Sequence, residues 1–432
     1  MRCPTLGEAS LLVRAGKYTP TQLVDEALAQ IELTEPKLKV WVTIDTEGAK
    51  AAAAQLTKEA EEGHIRSPLH GIPFGVKDIF DTKGLKTTMG SPLFRDNVPA
   101  SDAAIVARLR DLGAIVLGKT HTTEFAGHDP APTCNPWNLA HTPGGSSSGS
   151  AAAVAAGVIP YALGSQTGGS VTRPASYCGI VGTKPTYDLI SKTGVYPLSW
   201  SLDHVGFLTS NVEDASMILK ALAGIEVDQM AKPPTIGVAD RYFAEKADPE
   251  ISEGFNYAVR KLGESSVEIK EIALPKSFDY AHSAHRVIMT AEAAAVHEPL
   301  FSKQPGDYRP YLRGQVASGL LVPSTAYLRA LRIQAIYRKE MIGVMSGCDV
   351  VATPAATSAA PKGLEWTGDP AFNSVWSLAG FPTITIPMGL TKDGLPMGLQ
   401  LAASPFAESR LLAVAMFSEK ALRFHSYPPP PT

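Results

Sequence analysis

This chain has little of what marks several large protein classes. Cysteine occurs only at Cys3, Cys134, Cys178 and Cys348. No two stand as a CxxC pair, so neither a zinc knuckle nor a disulfide framework is indicated. Free thiols fit a reducing cytoplasm, the compartment expected here, and Cys178, in an apolar run, reads as a buried thiol. Lysine and arginine are scattered without a basic run, and the net charge is −3. That leaves no electrostatic footing for nucleic acid or an anionic membrane. The longest weakly polar run, Ser150 to Gly164, is rich in alanine and glycine and too short to span a bilayer. The first residues carry Arg2, Glu8, Arg14 and Lys17, with no apolar stretch of a signal peptide. Among ten histidines there is no HExxH set. His282 and His285 can share one helix face, but no carboxylates stand at ligand spacing beside them. They are read as polar surface or pocket residues, with no metal and no cofactor expected.

What is present is enough apolar sequence for a large core, 44% of 432 residues, arranged in alternating helical and strand patterns. Gly7 to Leu33 has a 3.6-residue apolar period, with Thr19-Pro20-Thr21 as a helix start. Thr46 to Glu62 and Asp102 to Leu112 read as helices. Ile72 to Ile79, Ala114 to Leu117 and Gly179 to Lys184 read as strands. Ser150 to Ala156, small on all sides, reads as a buried helix. Further helices are expected at Glu250 to Leu262 and Thr290 to His297. The alternation runs through Lys184 and returns after Asp349. It predicts an α/β fold of three layers, α/β/α, around a central mixed, mostly parallel sheet. No linker divides the chain, so residues 1–432 are expected to form one domain, with a variable, mainly helical segment at about 228–345 shaping the substrate pocket. Pro428 to Pro431 reads as a loose polyproline end.

The chemistry concentrates in two Gly-Gly-Ser turns flanking an alanine-rich segment: Gly144-Gly145-Ser146-Ser147-Ser148-Gly149-Ser150, then Gly168-Gly169-Ser170. A serine hydroxyl attacks a carbonyl when a base takes its proton. Thr167-Gly168-Gly169 can aim successive backbone N–H groups at one point, a nest suited to an oxyanion. Ser170, at its end, is the candidate nucleophile. Far upstream, Gly75-Val76-Lys77-Asp78 places a lysine at the end of an apolar strand. Burial disfavours its charged form and would turn Lys77 into a base. A plain Lys77–Asp78 ion pair is the competing reading for that lysine.

On these residues the chain resembles the amidase signature family. Matching segments are Gly71 to Asp78, Pro143 to Gly157, Gly164 to Pro185, Ser201 to Gly206, Gly380 to Pro387 and Gly394 to Gln400. The resemblance implies a cofactor-free Ser170–Ser146–Lys77 hydrolase, with Ser146 relaying a proton after a cis Gly145–Ser146 bond. It places the oxyanion hole on the amides of Thr167, Gly168, Gly169 and Ser170, with Gly145 and Ser147 supporting. Where the family more often has an aspartate–arginine pair, this chain has Gln166 and Thr172, with Arg173 one place later. A neutral Gln166–Thr172 hydrogen bond is the expected substitute. Ser148 replaces the first glycine after the two serines, a variant similar to biuret-, allophanate- and carbamate-type hydrolases. Ser148 or Ser150 is expected to cap the helix that follows.

By the same analogy Phe125, Gly127 and Trp200 are candidate substrate contacts. Phe372, Trp376 and Phe381 are candidates for a weakly charged pocket wall, or for the core. The expected partner is therefore a small, neutral amide, anilide or carbamate, cleaved by a monomer or homodimer. A component of a glutamine-dependent amidotransferase complex is the alternative.

Two other motifs compete. Gly113-Ala114-Ile115-Val116-Leu117-Gly118-Lys119-Thr120 fits the Walker A letters. Its four intervening residues are themselves a strand, so no phosphate-cradling loop is expected. Gly145-Ser146-Ser147-Ser148-Gly149 fits the GxSxG elbow, with Asp203 and His282, His285 or His425 as partners. Its lead-in, Leu139 to Pro143, contains proline and is not a strand.

Overall fold

The computed structural model describes residues 2–239 and 241–430. Eleven strands form one sheet: β1 Trp41–Ile44, β2 Pro73–Lys77, β3 Ile115–Thr120, β4 Tyr161–Gln166, β5 Val181–Lys184, β6 His204–Thr209, β7 Thr235–Ala239, β8 Glu268–Ile272, β9 Val350–Pro354, β10 Thr383–Leu390 and β11 Pro396–Ala402. Their order is β1-β3-β2-β4-β6-β5-β10-β11-β9-β7-β8. The sheet is mixed, as expected, but it is not mostly parallel. Only β3–β2, β2–β4, β9–β7 and β7–β8 are parallel. The antiparallel pairings outnumber them. The reason is β6. β4, the helix Thr172–Cys178 and β5 form a strand–helix–strand crossover, yet β6 returns between its two strands and pairs antiparallel with both. β10 and β11 are joined by the short turn 391–395, which permits only an antiparallel pair.

Helices cover both faces, and strand periodicity shows why. Along β3, Val116 enters one apolar cluster while Ile115 and Leu117 enter another. Along β4, Tyr161 and Leu163 face the first and Ala162 the second. The first cluster takes Ile105, Val106 and Leu109 from the helix Ala104–Asp111 and Leu411, Leu412 and Val414 from Glu408–Leu422. The second takes Val24, Ala27 and Ile31 from Pro20–Leu38, together with Ala151 to Ala155. Thr19 caps Pro20–Leu38 in a reciprocal box with Gln22, as its sequence indicated. The helix Ser148–Ala155 is buried on every side. Only small side chains let a helix lie that close to a sheet.

Segment 228–345 adds β7 and β8 to one edge of the sheet and the helices Pro249–Glu264, Phe278–Phe301, Pro310–Gly319 and Ser324–Met345. The helix read at Thr290 to His297 is thus one stretch of a much longer one. All four cysteines are free, and Cys178 is buried. No helix among the described residues is long and apolar enough to cross a membrane. Residues 428–430 border a cleft with Arg2 and Gln30; Pro431 lies outside the described residues.

Candidate active site

β2 and β4 are adjacent and parallel, so their carboxyl ends open on the same edge of the sheet, where open α/β sheets hold ligands. β2 ends at Lys77. β4 ends at Gln166 and runs into the turn 167–171. Register places Val76 beside Leu163, so the Lys77 side chain meets the residues just beyond. Its Nζ donates to Ser165 Oγ at 2.8 Å and to Ser146 Oγ at 2.7 Å, with Ser165 O at 3.4 Å. Lys77 is fully buried. Burial lowers its pKa to about 7, and the negative charge of Asp203 acts in the opposite direction. The competing Lys77–Asp78 pair does not form. Successive strand residues point to opposite faces, and Asp78 instead faces Lys119 at 3.7 Å and accepts from Thr88.

Ser146 follows a cis Gly145–Ser146 peptide bond. Its carbonyl accepts from the Thr123 amide, and the next amide, of Ser147, donates to the Ser170 carbonyl at 3.3 Å. The two serine turns are therefore joined through their backbones. Neither Ser148 nor Ser150 caps the helix. Ser148 Oγ turns back to the Gly144 carbonyl and Ser150 Oγ crosses to that of Leu163, because both are buried where those oxygens need donors. Ser147, the GxSxG serine, is buried and points its Oγ at Ser165. No strand precedes it.

Three successive carbonyls of the turn after β4 are tied to their surroundings. Thr167 O meets His285 Nε2 at 2.9 Å, Gly168 O accepts from Ser377 Oγ at 2.8 Å, and Gly169 O accepts from the Arg173 amide at 2.9 Å. The amides of Gly168, Gly169 and Ser170 have no acceptor among the described residues. Free donors beside a serine are the arrangement an oxyanion requires. Gly169 must be glycine: a Cβ there would lie 2.4 Å from Asn373 Oδ1. The expected Gln166–Thr172 bond is present. Gln166 Oε1 accepts from Thr172 Oγ1 at 3.1 Å, from its amide at 3.0 Å and from the Val171 amide at 2.9 Å. One neutral side chain thus fixes the start of the helix that follows Ser170.

Gly168, Gly169 and Ser170 border a cavity of about 410 Å³. Ser170, at 8% exposure, is in its wall, whereas Lys77 and Ser146, at 0% and 2%, are buried and do not line it. Gly127 lines this cavity. Trp200 instead borders a second chamber of about 190 Å³, with Asp203, Lys192 and Ser165. Ala126, Thr167 and Leu198 border both.

The remaining aromatic candidates are not in the wall. Phe125 is buried against Phe94, Tyr196, Tyr308 and His297. Phe372, Trp376 and Phe381 belong to an apolar cluster with Phe278, Ile288 and Tyr337, because the helices of segment 228–345 pack over them. The wall is also more charged than expected. Arg173, Lys246, Arg286 and Asp369 line it, along with Tyr242, His282 and His285. His282 and His285 are pocket residues, and among the described residues no three potential metal ligands gather. The Walker-like Gly118 and Lys119 lie within β3, and Lys119 is buried against Phe80 O, Thr87 and Asp78.

Sequence reading gave no role to Ser165 and named Asp203 only as the acid of the rival GxSxG arrangement. Ser165 holds Lys77. Asp203 is partly buried, accepts from Thr167 Oγ1 at 2.6 Å and from the Leu198 and Ser199 amides, and has its pKa raised by desolvation. Both fall inside the matched segments, but their function depends on strands brought together from afar.

Residues 22–412 match the family model described as Amidase. The A subunit of glutamyl-tRNA(Gln) amidotransferase from Picosynechococcus sp. is 33% identical, with 96% of this chain and 97% of that protein aligned. Among solved structures, one described as an amidase is 32% identical with a TM-score of 0.90, covering 96% of this chain and 99% of the other. The corresponding glutamyl-tRNA(Gln) amidotransferase protein of Thermotoga maritima is 26% identical with a TM-score of 0.81, covering 99% and 97%.

Proposed function

The chain belongs to the amidase family, and on that premise we propose that it hydrolyses amide-like C–N bonds, in amides or carbamates, through an acyl-enzyme on Ser170. The observation that carries this reading is the buried Lys77, paired to Ser146 without a carboxylate partner, in a turn whose backbone is bonded to that of Ser170, the serine that reaches the cavity. With its pKa near 7, a large fraction of Lys77 is neutral at pH 7. Neutral, its nitrogen lone pair accepts the Ser146 proton as Ser146 accepts that of Ser170. Ser170 Oγ attacks the carbonyl, and the oxygen that becomes negative is met by the free amides of the turn. Lys77 then returns the proton through Ser146 to the departing nitrogen. Water repeats the sequence and releases the acid. No metal or cofactor is required by these steps.

The amidotransferase reading keeps the same residues and rests on the glutamyl-tRNA(Gln) amidotransferase relatives. The test is turnover by the purified chain alone on a panel of an aryl carbamate, an anilide, simple primary amides and glutamine. Turnover of simple amides without any partner chain supports the hydrolase. A tenfold or larger preference for glutamine favours the amidotransferase.

A further inference from the structure

We infer that His285 is a positioning residue for the oxyanion hole: its ring, carried by the helix Phe278–Phe301, holds the Thr167 carbonyl and so aims the Gly168 N–H at the oxygen of the carbonyl under attack. This deepens the Ser170 reading and rests on it. His285 is buried, and its Nε2 lies 2.9 Å from Thr167 O. A carbonyl oxygen only accepts, so Nε2 carries the ring proton in this contact. Burial pushes the pKa of His285 down to about 4, so the ring is neutral at pH 7 and Nδ1 keeps its lone pair. The ring also lies against the next residue of the turn: a Cβ on Gly168 would be 3.6 Å from His285 Cε1.

The Thr167 carbonyl and the Gly168 N–H belong to one planar peptide unit, in which they point in opposite directions. Fixing the oxygen therefore fixes the donor. Glycine offers no side chain that could do so, and the Gly168 amide has no acceptor of its own among the described residues. An oxyanion hole works because its donors are ordered before the charge develops. The same helix also holds Thr167 through its side chain. Glu292, seven residues along and so on the face that carries His285, is buried and accepts from Ser199 Oγ and from the hydroxyl and amide of Ser201. The Ser199 amide donates to Asp203, and Asp203 accepts from Thr167 Oγ1. Two buried polar side chains, two turns apart on one helix, thus converge on one residue of the turn. Segment 228–345 contributes to the reacting centre and not to the pocket wall alone.

His285→Leu and His285→Gln test this, because glutamine can offer an N–H near the place of Nε2 and leucine cannot. On a simple amide, kcat of His285→Leu should fall roughly tenfold to a hundredfold. Its KM should stay within about threefold of the native value, and His285→Gln should recover kcat to within about threefold. A trifluoromethyl ketone, which places an oxyanion in the hole as a tetrahedral adduct on Ser170, should lose affinity in His285→Leu by the same factor as kcat. Nitrogen-15 NMR of the native chain at pH 7 needs no variant: His285 should show a protonated Nε2 and an unprotonated Nδ1. A protonated Nδ1, or kcat of His285→Leu within about twofold of native, overturns the role. So does a His285→Gln chain that melts at the native temperature without recovering kcat. Labelling of Ser170 by a sulfonyl fluoride tells the two readings apart. If the native chain labels while His285→Leu turns over normally, only the positioning role falls. If the native chain does not label, the Ser170 reaction falls and this role with it.

Discussion

Lys77 Nζ lies 2.7 Å from Ser146 Oγ, and among the described residues no carboxylate is at ion-pair distance from it. Burial is what lowers its pKa to about 7, and Asp203 opposes that shift. A base must be unprotonated to act, so activity should rise with pH through about 7 and reach a plateau above it. Below the midpoint it should fall roughly tenfold per pH unit. Removing the negative neighbour with Asp203→Asn should move the midpoint lower. A flat kcat/KM profile from pH 5 to 9, or full activity in Lys77→Ala, contradicts a lysine base.

Gln166 Oε1 receives two backbone amides and one hydroxyl. Gln166→Leu leaves these buried donors unpaired. It should cost about 2–4 kcal/mol of unfolding free energy and lower kcat through the displaced Ser170 turn. Thr172→Val removes only the hydroxyl and should cost about 1 kcal/mol. Denaturant unfolding of both variants checks the order. Equal stabilities would show that the glutamine does not hold the turn.

Gly169→Ala forces a methyl group toward Asn373 Oδ1. The turn must shift and its free amides with it. We expect kcat to fall roughly a hundredfold with KM changed far less. A loss confined to KM would mean that these amides contact the ground state rather than the transition state.

Lys119, inside β3, and Asp78, just past the end of β2, form a buried pair. Lys119→Ala leaves a buried carboxylate alone and should cost about 3–5 kcal/mol of stability. Added ATP should not shift the melting temperature of the native chain. A nucleotide-dependent shift lost in Lys119→Ala would restore the Walker reading.

These residues also show where sequence reading reached. Lys77, Ser146, Ser170 and the Gln166–Thr172 pair were picked out through resemblance to the amidase signature, whose motifs are short runs rich in glycine and small residues. The helix Ser148–Ala155 was legible from its own small side chains. Strand order was not: that β6 lies between β4 and β5 is decided by packing between distant segments. Ser165, the bond of Asp203 to Thr167 in the Ser170 turn, and the exposed cations Lys246 and Arg286 were missed on the same ground. Their partners are supplied by other strands and by the helices of 228–345. Phe372, Trp376 and Phe381 pointed to an aromatic wall only until those helices were placed over them.

The central claim is that Ser170 carries the acyl group. The most direct measurement is intact-mass and peptide mass spectrometry of the native chain quenched during turnover of a slow aryl ester or carbamate, with Ser170→Ala and Ser146→Ala treated alike. The account predicts one added acyl mass, mapped to the peptide containing Ser170, absent from Ser170→Ala and greatly slowed in Ser146→Ala. An adduct on Ser146 or Ser147, or turnover by Ser170→Ala, would contradict it.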